Sequence, residues 1–194
     1  MSLEIKSVFE IEAEELELFI FNNTNSWFQH LNTWRDYTIA MREDGSKDLS
    51  FVVFENKIIV AFVPLIKEYI YENPSQNEIN MAGFPSVYPF FSDNLSNNNK
   101  DKIEKIVFEE IFKIAKNQNV FYINFYVSPL SDQILSGDMR VNPLSKFGFH
   151  DTTISTNILS LNSDEDVIFA KEQKAILKQL RKMVLRLKCM IKIA

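Results

Sequence analysis

The stretch KDKIEKIVFEEIFKIAKN at 100–117, followed after two residues by VFYINFYV at 120–127, decides the fold class. In its first part Ile103, Ile106, Val107, Ile111 and Ile114 recur at helical spacing, and charged residues cover the remaining faces. That pattern predicts an amphipathic helix with one buried stripe. The second part is apolar from end to end, with Asn124 as its only amide, and reads as a strand. A helix passing directly into a strand is the signature of an α/β or α+β domain.

Working back toward the N-terminus, the segment from Gly83 to Asn99 is long, punctuated by Pro85 and Pro89, and rich in rings. In Gly83-Phe84-Pro85-Ser86-Val87-Tyr88-Pro89-Phe90-Phe91-Ser92-Asp93, aromatic side chains alternate with hydroxyls and a carboxylate. Two readings fit. In a substrate loop the rings supply shape and Tyr88, Ser92 and Asp93 orient the ligand. A packed surface loop explains the same composition.

Before it, Ile79 to Ala82 reads as a short strand and Glu72 to Glu78 as a loop. Leu49–Glu55 and Lys57–Tyr71 are rich in β-branched and aromatic residues and flank Glu55-Asn56-Lys57, which predicts a β-hairpin. Pro64 within the second arm implies an edge position or a bulge. Ser26 with Gln29 three residues later has the form of a capping box opening a helix that carries Trp27, Leu31, Trp34 and Thr38. The two Trp residues share a face, and packing explains them better than ligand stacking does. An acidic helix over Glu12–Phe21, with Leu16, Phe19 and Ile20 inward, precedes this one.

Toward the C-terminus, 128–143 reads as loop, Leu144–Phe147 as an apolar turn and Thr152–Leu161 as a strand. Ser163 and Asp166 open a last helix with Phe169, Ile176, Leu180, Met183, Leu187 and Met190 along one face. From 171 to 194 it holds eight of the chain's 21 basic residues and one of its 26 acidic ones, a local charge of +7 in a chain of net charge −5. The remaining residues therefore carry −12. Three readings of this basic helix stand: a grip on an anionic partner such as tRNA, contact with an anionic membrane surface, or a solvated face. The division predicted is a domain over 1–161 and the basic helix over 162–194.

Composition excludes several classes. Cys189 is the only cysteine, so there is no intrachain disulfide and no cysteine-based zinc site. His30 and His150 have no metal-ligand spacing, and neither a nucleophile elbow nor a catalytic carboxylate pair is visible; no metal is expected. Four Gly against seventeen Phe argue against a Gly-rich phosphate loop. With no apolar run long enough to span a bilayer and no secretion signal, the expected location is the cytoplasm, with contact to the inner membrane face through the basic helix.

Three stretches in order carry a family resemblance: Ser26-Trp27-Phe28 at the head of the Trp-bearing helix, Gly83-Phe84-Pro85 through Phe91-Ser92-Asp93, and Lys146-Phe147-Gly148-Phe149 leading through the strand to Ser163–Asp166 and the basic run Lys174–Lys182. Together they resemble the FemAB-like proteins, relatives of the GNAT acyltransferases that include the peptidoglycan interpeptide-bridge aminoacyltransferases. The resemblance implies a mixed, largely antiparallel sheet flanked by helices, forming the first of two GNAT-like halves, with the basic helix leading into the second. It implies transfer of an acyl or aminoacyl group to an amine of a lipid-linked or nucleotide-linked cell-envelope precursor or a related metabolite.

The donor so implied is aminoacyl-tRNA or an acyl-CoA thioester, with no tightly bound cofactor. Tyr88, Ser92 and Asp93 are then substrate-side candidates, and Lys178, Arg181 and Lys182 donor-side candidates. No general base is assigned. The Arg/Gln-x-x-Gly-x-Gly/Ala pattern that binds acyl-CoA in GNAT proteins is absent, and the second half that the resemblance implies is not part of this sequence, which leaves activity of this chain open. A non-catalytic module that holds an anionic partner, or pairs with another copy through the C-terminal helix, is the rival reading.

Overall fold

The computed structural model describes residues 3–42, 45–70, 73–127 and 142–152. All of these except Thr152 belong to one compact unit, Met1–Asp151. The expected 162–194 helix, with its donor-side candidates Lys178, Arg181 and Lys182, lies outside the described residues, as does the expected 152–161 strand beyond Thr152.

Strands β1 (Leu3–Ser7), β3 (Phe51–Glu55), β4 (Ile58–Val63) and β8 (Phe90–Phe91) form an antiparallel sheet in the order β1-β3-β4-β8. A second sheet runs β2 (Lys47–Asp48), β5 (Ile66–Ile70), β6 (Asn73–Asn80), β9 (Val120–Ile123). Its first three strands are antiparallel, and β9 is parallel to β6. The short strands β7 (Ser86–Val87) and β10 (Phe125–Tyr126) repeat that parallel pairing one step further along the chain. Among the described residues three α-helices flank the sheets: α1 (Ala13–Phe21), α2 (Asn32–Ala40) and α3 (Asn97–Asn117). The fold is thus the mixed, largely antiparallel α/β architecture expected.

The predicted hairpin is β3–β4, and its turn places Asn56 and Lys57 at φ 50° and 69°. Two consecutive left-handed residues match the twist of the flanking strands. Pro64 marks neither an edge nor a bulge. It is buried between β4 and β5, where the chain leaves one sheet for the other. The neighbouring Leu65 N–H is taken by Ser50 Oγ at 3.0 Å, so a residue without an N–H costs no ladder bond there.

Two boundaries shift. Residues 73–78, expected as loop, belong to β6, because β5 on one side and β9 on the other supply hydrogen bonds that Asn and Gln side chains do not forbid. The strand then stops at Asn80. The helix expected from Ser26 starts later. Phe28–His30 is a 3-10 turn, Leu31 is extended at φ −63°, ψ 144°, and α2 begins at Asn32. His30 Nδ1 accepts the Trp27 N–H at 2.9 Å, so this imidazole, and no Ser26–Gln29 capping box, shapes the bend.

Helix α3 buries Ile103, Val107, Phe108, Ile111 and Ala115 against Val53, Ala61, Val63 and Ile79 of the sheets. Leu16 and Ile20 of α1 pack with Val52, Phe54, Phe62 and Phe90 on the other face of the antiparallel sheet. Each fully buried aliphatic side chain of this kind contributes about 1.5–3 kcal/mol. Helix α3 departs from its expected pattern: Ile106 and Ile114 are only half-buried, Phe108 and Ala115 join the stripe, and Glu104 lies in it at 3% exposure. Among the described residues no helix is long and apolar enough to cross a membrane.

Candidate functional site

The interruption of the long apolar strand at Asn124 shapes the site. Asn124 N donates to Ile79 O at 3.2 Å and Asn124 O accepts from Ser86 N at 2.8 Å. The six residues from Asn80 to Pro85 are thereby looped out, and the parallel pairing resumes at β7 and β10. At the tip, Met81 and Phe84 bridge each other, with Ala82 and Gly83 at φ 52° and 80°. Buried Glu68 of β5 caps this turn, accepting from Ala82 N and from Gly83 N (3.0 Å).

Just past the carboxyl ends of β7 and β10 lies a cavity of about 610 Å³. Residues Val87–Asp93 form one wall, and Thr24–Trp27 with His30 form another. Leu95, Asn97 and Lys100 of the α3 approach and first turn close it. Ligands in α/β sheets gather at the carboxyl ends of parallel strands, where loops diverge. Helix α3 starts there with no side-chain cap, no acidic residue in its first turn, and Lys100 beside it. Such a helix start favours an anionic group.

All three substrate-side candidates, Tyr88, Ser92 and Asp93, line this cavity. Their side chains differ in freedom. Asp93 Oδ2 accepts from Thr24 N (2.6 Å) and Thr24 Oγ1 (2.9 Å), and Oδ1 accepts from Asn25 Nδ2 (3.1 Å). Partial burial would raise its pKa, but these donors and the Lys100 charge hold it below the usual carboxylate value. Its main-chain N–H donates to Asn23 Oδ1 at 2.8 Å, so Asp93 ties the 22–25 loop to the cavity wall. Ser92 Oγ accepts from Asn94 N at 3.3 Å. The Tyr88 hydroxyl donates to Glu104 Oε1, and Lys146 Nζ bonds Glu104 Oε2 from the Pro143–Phe147 turn.

Four residues at the site, His30, Glu104, Thr24 and Asn25, were not marked as site residues by the sequence. His30 sits in the wall at 3% exposure between the rings of Phe62 and Phe90. With Nδ1 accepting from Trp27 N, the proton belongs on Nε2, which donates to Tyr88 O at 3.2 Å. Burial, opposed by the Tyr88 and Trp27 backbone contacts, lowers its pKa to about 4. Glu104 gave no signal, because a Glu on an amphipathic helix reads as solvated. Thr24 and Asn25 lie in the short polar stretch between the two N-terminal helices, where the sequence shows no site pattern. Among the described residues no three His, Cys, Asp or Glu converge on a metal-sized point.

No protein-family model and no curated protein matches the sequence. Solved structures match the fold. An aminoglycoside acetyltransferase from an uncultured soil metagenomic sample superposes with a TM-score of 0.53 at 14% identity, covering 82% of this chain and 99% of that one. FemX aligns with a TM-score of 0.46 at 16% identity over 63% of this chain and 26% of its own. A predicted acetyltransferase from Clostridium acetobutylicum, determined with acetyl-CoA, gives 0.46 at 14% identity over 84% of this chain and 100% of its own. The first likeness establishes the fold: the described domain has the architecture of the GNAT acetyltransferases.

Proposed function

We propose that this chain is an acyltransferase domain that moves an acyl group from an activated donor onto an amine. The observation that carries the reading is the cavity at the carboxyl ends of β7 and β10, with the uncapped start of α3 and Lys100 on one side and the Tyr88–Asp93 wall on the other. Acyl transfer between two bound partners needs chiefly their alignment and a preorganised polar surround. A thioester donor with phosphate groups suits the α3 side, and the acceptor suits the ring-lined wall. The order of the sequence stretches supports a FemAB-type acceptor, an amine on a cell-envelope precursor, with aminoacyl-tRNA as the alternative donor and the cytoplasm as the place of reaction.

The test is calorimetric titration with acetyl-CoA, followed by assay of thiol release with an added amine. Binding that weakens with salt and in Lys100→Glu is expected. Absence of both binding and thiol release overturns the thioester reading, and transfer of a labelled aminoacyl group from charged tRNA then decides the alternative. One observation favours a second reading, a non-catalytic binding module: His30 and Asp93, which line the cavity, spend their polar atoms on the fold. Binding without turnover of either donor is its expected result.

A further inference from the structure

We propose that Tyr88 and Glu104 carry away the proton of the attacking amine, Tyr88 touching the nucleophile and Glu104 receiving behind it. This rests on the acyltransferase reading of the cavity.

Three side chains in the cavity wall are candidates to take a proton: His30, Asp93 and Tyr88. Both His30 nitrogens are engaged by main chain, and burial keeps the ring neutral down to about pH 4. The Asp93 carboxylate accepts three hydrogen bonds and is held below the usual range, which makes it a weak base. Tyr88 differs from both. Its one proton is committed to Glu104 Oε1, so to any further partner its oxygen offers lone pairs and nothing else. That oxygen suits an N–H donor and rejects a ligand that presents only acceptors.

Glu104 stands one helical turn beyond Lys100, which itself lines the cavity. Its other oxygen is held by Lys146, and Lys146 lines a separate cavity of about 520 Å³ with Lys105, Phe108, Phe112 and Phe147. The carboxylate therefore lies behind the wall, with its counter-charge on the side away from the reacting atoms. Burial first, and then the Glu104 charge, push the Tyr88 hydroxyl far above its ordinary pKa. Tyr88 is thus protonated at rest and accepts a proton only by passing its own on.

The step balances without a further reactant. The neutral amine nitrogen bonds to the thioester carbonyl carbon, and its N–H proton moves to the Tyr88 oxygen as the Tyr88 proton moves to Glu104 Oε1. The tetrahedral adduct collapses, the carbon–sulfur bond breaks, and sulfur leaves with the electron pair as a thiolate. One negative charge passes from Glu104 to the thiolate.

The test uses the full chain with acetyl-CoA and glycinamide as a small amine, comparing Tyr88→Phe, Glu104→Gln, Glu104→Asp and the Tyr88→Phe/Glu104→Gln double variant. A general base is worth about a hundredfold or more. Each single removal is therefore expected to lower kcat by about that factor with little change in KM. The double variant should be no slower than either, because the pair acts as a unit, and Glu104→Asp should recover part of the rate. A Tyr88→Phe enzyme within about twofold of wild type, a loss confined to KM, or additive losses would overturn the relay. If Glu104→Gln does not fold, Tyr88→Phe decides, since it removes a single oxygen from a half-buried ring.

Aminolysis of p-nitrophenyl acetate by glycinamide separates the two readings. A Tyr88- and Glu104-dependent rate there, with none from acetyl-CoA, keeps the relay and removes only the thioester donor. Independence from both residues in both assays removes the relay.

Discussion

Glu68 and Glu104 are both carboxylates almost sealed from water, at 1% and 3% exposure, and their surroundings satisfy them in opposite ways. Glu68 is bound by the main-chain N–H groups of Ala82 and Gly83 and by the Arg42 guanidinium at 3.4 Å. Two of those partners cannot move without unmaking the left-handed turn from Met81 to Phe84. Glu104 has side-chain partners, the Tyr88 hydroxyl and the half-exposed Lys146 ammonium, and each belongs to a residue that lines a cavity. A buried charge tied to backbone holds a shape. A buried charge tied to a side chain at a cavity is placed where a proton moves.

The widest separation of the two regions is expected in stability. Glu68→Ala leaves the turn without its acceptors and removes the buried carboxylate that faces Arg42, and removing one member of such a pair costs about 3–5 kcal/mol. Glu104→Ala returns Lys146 to water, and the net loss is about 1.5–3 kcal/mol, that of a hydrogen bond to a charged group. Urea unfolding of both variants measures the difference. Equal costs would break the comparison, because Glu104 would then be as much a scaffold residue as Glu68.

His30 extends the comparison to the cavity wall itself, since both of its ring nitrogens contact main chain. Its folded pKa of about 4 lies below the ordinary 6.5. A depressed pKa means that the unfolded chain takes up the proton first. His30 therefore contributes stability that is full above about pH 6.5 and is lost as pH falls from there toward 4. The size is roughly 3 kcal/mol, from about 1.4 kcal/mol per pKa unit. The unfolding free energy measured at pH 7 and pH 4.5 should show this drop in wild type and a smaller one in His30→Gln. An unchanged drop would mean that the histidine titrates in the folded state and belongs with the mobile groups of the Glu104 region.

The difference between the two regions also explains what was legible in the sequence. The α3 stripe of Ile103, Val107 and Ile111, the β3–β4 hairpin and the ring-rich cavity wall follow from periodicity and residue type, which are local properties. Strand β6 was hidden because Asn73 to Glu78 is polar, and its pairing comes from β5 and β9, the latter some 40 residues later. The start of α2 was hidden because the bend at Leu31 depends on where the His30 ring is buried. Tyr88, Ser92 and Asp93 were visible as a cluster. The bond from Tyr88 to Glu104 was not, since its spacing of 16 residues crosses from a loop to a helix and no pattern marks a Glu that points inward.

The smallest effect is expected at Asp93, which stands between the two classes. It accepts one main-chain N–H, from Thr24, and two side-chain bonds, from Thr24 Oγ1 and Asn25 Nδ2. Burial is the largest single influence and opposes its ionisation, but those donors together with Lys100 outweigh it and hold its folded pKa below the ordinary Asp value. Its contribution is therefore present above the ordinary Asp range of about 4 and is lost as pH falls through the lowered folded value. Because the carboxylate is solvent-exposed, screening keeps the neutral-pH cost of Asp93→Asn below about 1 kcal/mol. Melting temperatures at pH 7 and pH 3 should converge slightly in Asp93→Asn relative to wild type. If instead Asp93→Asn leaves the melting profile unchanged while weakening an amine bound in the cavity, the carboxylate serves the ligand, and the wall between Thr24 and Asp93 belongs with Glu104 and not with Glu68.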